Sequence, residues 1–145
     1  MKKTLSIILC LALLFSMASC YTQKEKPNAI GSVTLSINCN VIKDKVNNPV
    51  ILDNAEFLIN KGETVFDIVS EAVVKNKLQM ETSGAKGSEY IVGLNNIYSQ
   101  AYGDMSGWLF YVNGEMAMVS MAQYELKPND KIEILYSTNF GEDLK

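Results

Sequence analysis

Trp108 to Val112 reads Trp-Leu-Phe-Tyr-Val, apolar or aromatic at every position, and runs straight into Asn113-Gly114. A strand without polar alternation needs cover on both faces, so these residues demand a sheet with material packed on each side. Asn and Gly both tolerate positive φ, which suits a type I′ turn that sends the chain back along the strand. Further on, the segment Tyr124 to Tyr136 (Tyr-Glu-Leu-Lys-Pro-Asn-Asp-Lys-Ile-Glu-Ile-Leu-Tyr) carries a Pro-Asn-Asp turn signal. A closing strand follows over Lys131 to Tyr136, with Ile132, Ile134 and Tyr136 on one face.

Elsewhere the periodicity changes sign. Val33 to Ile42 alternates apolar and polar residues and predicts a first strand, with Cys39 sharing the inward parity of Val33, Leu35 and Ile37. Lys43 to Pro49 is a turn cluster, and Val50 to Ile59 supplies one or two short strands ending at Lys61-Gly62. Thr64 is placed as a helix N-cap with Asp67 in capping-box position. Val65, Ile68, Val69, Ala72 and Val73 then fall on one face of a helix running to about Asn76, whose negative end suits Lys75 and Lys77. Leu78 to Thr82 and Glu89 to Leu94 read as strands around a Ser83 to Ser88 loop, and Asn95 to Gly107 reads as an irregular surface loop. Strands on either side of one helix, without internal repeats, predict an α+β fold. The specific expectation is a β-grasp-like antiparallel or mixed sheet packed on one main helix, filling residues 33–145.

Three phrases occur in order: Gly62-Glu-Thr-Val-Phe-Asp67, Ser106 to Gly114, and Tyr124 to Tyr136. Together they resemble the transcobalamin-like C-terminal domain (DUF4430-type), a family of secreted proteins of Gram-positive bacteria, over about Val33 to Asp143. The resemblance implies the same β-grasp-like fold. It also implies a module similar to the part of vitamin B12 carriers that covers one face of cobalamin, so cobalamin or a related corrinoid is the ligand it suggests. Those carriers add a large helical domain for which this chain has no room. None of the phrases is catalytic. Relatives often carry extra cysteines near the Trp hairpin and the C-terminus, where this chain has Tyr102, Met121 and Thr138.

The amino terminus has the form of a lipoprotein leader. Lys2 and Lys3 precede an apolar run from Leu5 to Phe15, too short for a comfortable span, and Ala18-Ser19 leads into Cys20. Met17 stands where Leu is more usual in a lipobox. The expectation is a signal peptide over residues 1–19, a diacylglyceryl group on Cys20, a tether over residues 20–32, and an extracytoplasmic domain held at the bacterial cell membrane. Cys10 departs with the leader and Cys20 takes lipid, so Cys39 is left alone and a disulfide framework within the mature chain is excluded. Its parity reads as a buried small hydrophobe rather than a metal-binding thiol.

Composition narrows the chemistry. The chain has 16 acids against 13 cations and no His, and every cation is Lys. Nothing supplies the basic patch or guanidinium fork a nucleic acid needs. Ser70, Ser88, Ser99 and Ser106 have no His partner, no Gly-x-Ser-x-Gly elbow or phosphate loop occurs, and the absence of His removes the usual general base and a common zinc ligand. Asp104 with Glu115, and Glu142 with Asp143, read as solvated loop acids. The chain therefore reads as a binding protein, not an enzyme, with neither catalytic nor metal residues.

Candidate ligand contacts are Tyr98, Ser99, Tyr102, Ser106, Trp108, Leu109, Tyr111, Met116, Met118 and Met121. The aromatic residues offer stacking, the serines offer hydrogen bonds to amides, and the methionines offer an adaptable apolar surface. Each also has a plainer reading: Trp108 shares a face with Phe110 and Val112 and suits a core, and the methionines suit a return strand. A second function stays open, a surface module that docks on a membrane permease or another surface protein. An apolar concavity at the loop end favours a small ligand, whereas a flat apolar patch or open strand favours a protein. Cys20→Ala should release the protein from membranes or block its processing, because acyl chains contribute far more membrane affinity than a polar tether. Membrane fractionation with labelled palmitate tests this, and unchanged retention and labelling would refute the anchor.

Overall fold

The computed structural model describes residues 26–144. Cys10, Cys20 and the expected leader lie outside the described residues. The strands are β1 (Gly31–Asn38), β2 (Val50–Ile59), β3 (Met80–Ser83), β4 (Tyr90–Leu94), β5 (Ile97–Tyr98), β6 (Gly107–Val112), β7 (Glu115–Met116) and β8 (Lys131–Ser137), with one α-helix, α1 (Val65–Lys75). They form a five-stranded sheet in the order β2-β1-β8-β6-β7 and a three-stranded sheet in the order β3-β4-β5. The β1–β8 pair is parallel and the other pairs are antiparallel. The fold is α+β, with a mixed main sheet and one main helix.

The helix forms where the pattern places it. Thr64 Oγ1 accepts from the Asp67 N–H at 3.3 Å, and the Asp67 carboxylate accepts from the Thr64 N–H at 2.8 Å, a complete capping box. Two further N-terminal amides find partners outside the helix: Val65 N–H donates to Tyr124 O and Phe66 N–H to Met121 O, both at 3.1 Å. The chain between β7 and β8 is thereby fastened to the start of α1. Lys77 takes φ 53° just past the helix, and Leu78 N–H closes back on Val73 O, which ends it. Val65, Ile68, Val69, Ala72 and Val73 are all buried, in one core with Val33, Leu35, Ile37, Phe57, Ile59, Ile132, Ile134 and Tyr136.

Several boundaries differ from the sequence reading. The first strand ends at Asn38 rather than Ile42, and Asn40–Lys45 forms a short 3₁₀ segment. The Cys39 N–H and thiol both point to Pro49 O, at 2.8 and 3.4 Å, which turns the chain out of the sheet. Cys39 is fully buried, but at the strand exit, and burial pushes its thiol pKa up. Val50 to Ile59 is a single strand with register breaks at Ser36 and between Ile37 and Asn38; at the first, Asn54, at φ 44°, donates its N–H to Ser36 Oγ. The segment read as an irregular loop after Leu94 contains β5, because Asn95 and Asn96 (φ 50° and 64°) make a two-residue hairpin turn. Residues 26–30, expected within the tether, are docked: Lys26 Nζ lies 2.9 Å from both Glu63 and Glu71, and Ile30 N–H donates to Ile59 O.

Two aromatic side chains join the sheets. Trp108 on β6 and Tyr136 on β8 meet edge to face, centroids 5.2 Å apart. Trp108 Nε1 donates to Ile97 O at 2.9 Å and the Tyr136 hydroxyl donates to Tyr98 O at 2.7 Å, so both polar tips end on β5. Trp108→Ala should cost about 3–5 kcal/mol, since it opens a cavity and removes the indole hydrogen bond to the Ile97 carbonyl. Urea unfolding followed by far-ultraviolet circular dichroism measures it. An unchanged midpoint would mean that the ring carries no fold energy.

Candidate functional site

Two strand edges stop short of each other. Along one side β6 pairs with β8 over its whole length; along the other, β7 meets only Tyr111 and Val112, with Ala117 N–H reaching Phe110 O. Asn113 N–H bonds Lys131 O, so by antiparallel alternation Tyr111, Leu109 and Gly107 turn their peptide groups toward β8. The N–H and C=O of Trp108 therefore point the other way, and among the described residues no backbone group pairs with them. On the facing sheet, β5 pairs with β4 only at Gly93 and Leu94, plus one bond from Ser99 N–H to Val92 O. Tyr90 and Ile91 extend beyond that cover.

Between these half-edges lies a cleft of about 460 Å³, walled by Tyr90 to Val92 on one side and Gly107 to Leu109 on the other. The 99–106 loop and Phe140 close its ends. A recess of about 90 Å³ sits beside it, sharing Tyr90, Ile91, Trp108 and Leu109 and reaching Met121. The walls are mostly apolar. Asp104 is the one charged residue lining the cleft and Glu89 the one lining the recess.

Among the residues singled out from sequence, Ser99, Ser106, Trp108 and Leu109 line the cleft and Met121 lines the recess. The others lie elsewhere. Tyr98 packs on Gly93, where a Cβ would come within 2.6 Å of its ring, and its hydroxyl accepts from Gln79. Tyr102 stands edge-on to Tyr136 at 6.0 Å, with the Lys45 ammonium over its ring. Tyr111 and Met116 pack near Gly141, and Met118 is 86% exposed outside the cleft. Tyr90, Ile91, Met105 and Phe140 are lining residues that the sequence reading did not name. Phe140 had a faint signal, a lone aromatic in a polar segment after the last strand.

Ser106 lines the cleft, but its hydroxyl is committed. The single Tyr136 proton goes to the Tyr98 carbonyl, which can only accept, so Ser106 supplies the proton in its 2.9 Å contact with Tyr136. Ser106 Oγ in turn accepts from the Tyr102 N–H. Burial, only partly offset by Ser106, raises the Tyr136 pKa and keeps it a donor. With Ser106 committed, the polar groups that the cleft lining offers a ligand include the Trp108 main chain, Ser99, Gln100, Asp104 and the Tyr90 hydroxyl. Among the described residues no group of three His, Cys, Asp or Glu side chains converges to hold a metal.

The sequence matches the model of a domain of unknown function, DUF4430, over residues 62–138, more than half of its length. The chain belongs to the DUF4430 family. The resemblance to transcobalamin-like C-terminal domains holds at the level of fold as well. Haptocorrin in complex with Cbi superposes with a TM-score of 0.55 at 14% identity, covering 75% of this chain and 25% of haptocorrin. A protein from Ruminococcus gnavus, to which metal binding is provisionally ascribed, superposes with a TM-score of 0.51 at 11% identity, covering 75% of this chain and 98% of that one. This DUF4430 protein thus spans about a quarter of haptocorrin. Among curated proteins none matches its sequence.

The far end of the cleft is held by the C-terminal turn. Burial works to raise the Asp143 pKa, but hydrogen bonds from the Ser137 hydroxyl and from the Thr138 N–H and hydroxyl outweigh it and hold the carboxyl below its ordinary value of 3.8. A depressed carboxylate pKa means that the folded turn binds fewer protons than the open one. Its contribution is present above the ordinary value and is lost as pH falls through the lowered one. Amide protection at Asn139 and Gly141, relative to the intrinsic exchange rate at each pH, should therefore fall below about pH 3.8, and Asp143→Asn should flatten that dependence. Identical pH profiles for the two proteins would refute the clasp.

Proposed function

We propose that this DUF4430 protein is a membrane-anchored extracellular lipoprotein that binds a small molecule in the β4–β6 cleft, with cobalamin or a related corrinoid as the ligand. The observation that carries the reading is the cleft itself, an apolar concavity of about 460 Å³ beside an unpaired peptide edge at Trp108. Pockets of this size with few polar groups are typical of small-molecule sites. A corrinoid carries amides at its rim, which match a free N–H and C=O. The strand order with its parallel β1–β8 centre supports a β-grasp-like module. The leader and Cys20 motif support the anchor, and the missing acid–base pair supports a non-enzymatic role.

The residues present fit a corrinoid held from one side. Such a ring is broader than the cleft, so part of it stays uncovered. The chain contains no His and so would offer no imidazole to a corrinoid's cobalt. A metal ion alone finds no donor set among the described residues.

A second reading rests on Met116, Met118 and Val119, which are 39, 86 and 49% exposed, Val119 lining the recess. Such a patch suits docking on a permease or other surface protein, which would also cover the uncovered face of a ligand. Titration with cyanocobalamin should shift its visible spectrum with a dissociation constant of about micromolar order, weak because half the enclosure is missing. No optical or calorimetric response at high concentration would remove the corrinoid and leave the docking module.

A further inference from the structure

Phe140 is the outlier of the cleft. It has φ 54°, in the left-handed region that a bulky aromatic residue seldom enters, yet the residue is 66% exposed and gains no core burial to offset the strain. Several bonds impose this conformation. The Ser137 hydroxyl oxygen, 1% exposed as a residue, accepts from Asn139 N–H at 3.1 Å and Gly141 N–H at 2.7 Å and passes its proton to Asp143. The Phe140 N–H donates to Met105 O at 3.3 Å, bridging the turn to the 99–106 loop across the cleft. The following Gly141 is buried against Leu109 and Tyr111, where a Cβ would lie 3.2 and 3.0 Å from their atoms. The backbone of residues 137–143 is thus over-determined around one side chain that itself packs in no core.

We infer that Phe140 is a ligand-contact residue of the β4–β6 cleft, presenting its ring, with Met105 beside it, to a flat apolar face of an uncharged ligand. Met105 is 54% exposed and shares the cleft lining with Phe140. Aromatic rings and thioethers both favour such a face, and Asp104 nearby disfavours an anion. The inference rests on the cleft being a ligand site but not on the ligand being a corrinoid. A purely structural role predicts the opposite of what is seen: a turn needing left-handed geometry at this position is better served by Gly, which has no Cβ to strain.

Phe140→Gly separates the two. Trp108 is the chain's one tryptophan and lines the cleft, so energy transfer from it to 7-amino-4-methylcoumarin, a flat neutral probe, reports occupancy in the full chain in detergent. Phe140→Gly should weaken the probe about tenfold while the melting temperature stays equal or rises. Equal probe affinity in the two proteins, no probe binding to the wild type, or a lowered melting temperature in the variant would each overturn the assignment. Cyanocobalamin run in parallel keeps the questions apart. A Phe140-dependent coumarin signal without any cobalamin response removes the corrinoid and leaves Phe140 in the site.

Discussion

The edge-to-face contact of Trp108 with Tyr136 is the interaction on which the rest of the architecture depends. Either ring alone would be ordinary core. Their polar tips make the difference, because indole N–H and phenol O–H both end on carbonyls of β5, at Ile97 and Tyr98. A two-residue strand with so few pairing partners has little reason to hold its place. Two side-chain hydrogen bonds from a fully packed sheet supply it, and neither donor is left unpaired in the interior.

The cleft follows from that fastening. Because β5 is tied down at Ile97 and Tyr98, it covers only one end of β4 and the chain then leaves into the 99–106 loop. Ser106 ends that loop with its hydroxyl bonded to Tyr136 and its N–H to Gly103 O, so the loop cannot fold inward to cover Tyr90 and Ile91. On the opposite bank β7 is only two residues long and pairs no further back than Tyr111, which leaves the Trp108 peptide open. The same residue thus anchors the sheets through its indole and offers its main chain to the cleft.

What the sequence made legible divides along physical lines. The helix, its capping box and the Trp108 to Gly114 hairpin were readable because local periodicity and turn chemistry specify them. β5 was missed because Asn95-Asn96 reads as a breaker, although two consecutive asparagines can both adopt positive φ. Val41 and Ile42 continue the apolar content past the end of the first strand at Asn38, while the turn at Cys39 is set by a bond to Pro49 ten residues away. Trp108 and Leu109 were found as lining residues because they sit on the hairpin that the motif marks. Tyr98, Tyr102 and Tyr111 were grouped with them by composition, yet tertiary contacts assign each ring elsewhere. The backbone conformation that distinguishes Phe140 has no local sequence code.

The N-terminal dock ties this geometry to the anchored reading. Burial works against the Lys26 charge, yet the carboxylates of Glu63 and Glu71 outweigh it and raise its pKa. A raised amine pKa is stabilising below the unfolded value and is lost only as pH rises through the folded one, so the dock is fully set at neutral pH. With lipid on Cys20, the six residue steps to Lys26 span at most about 21 Å. On that proposal the start of α1, where Glu63 and the capping box lie, would be the end of the domain held nearest the bilayer. Met121, whose carbonyl receives the Phe66 N–H at that same helix start, also lines the recess beside the cleft. On the proposed anchored reading, so short a tether would hold the recess end of the cleft close to the membrane, within reach of a permease embedded there.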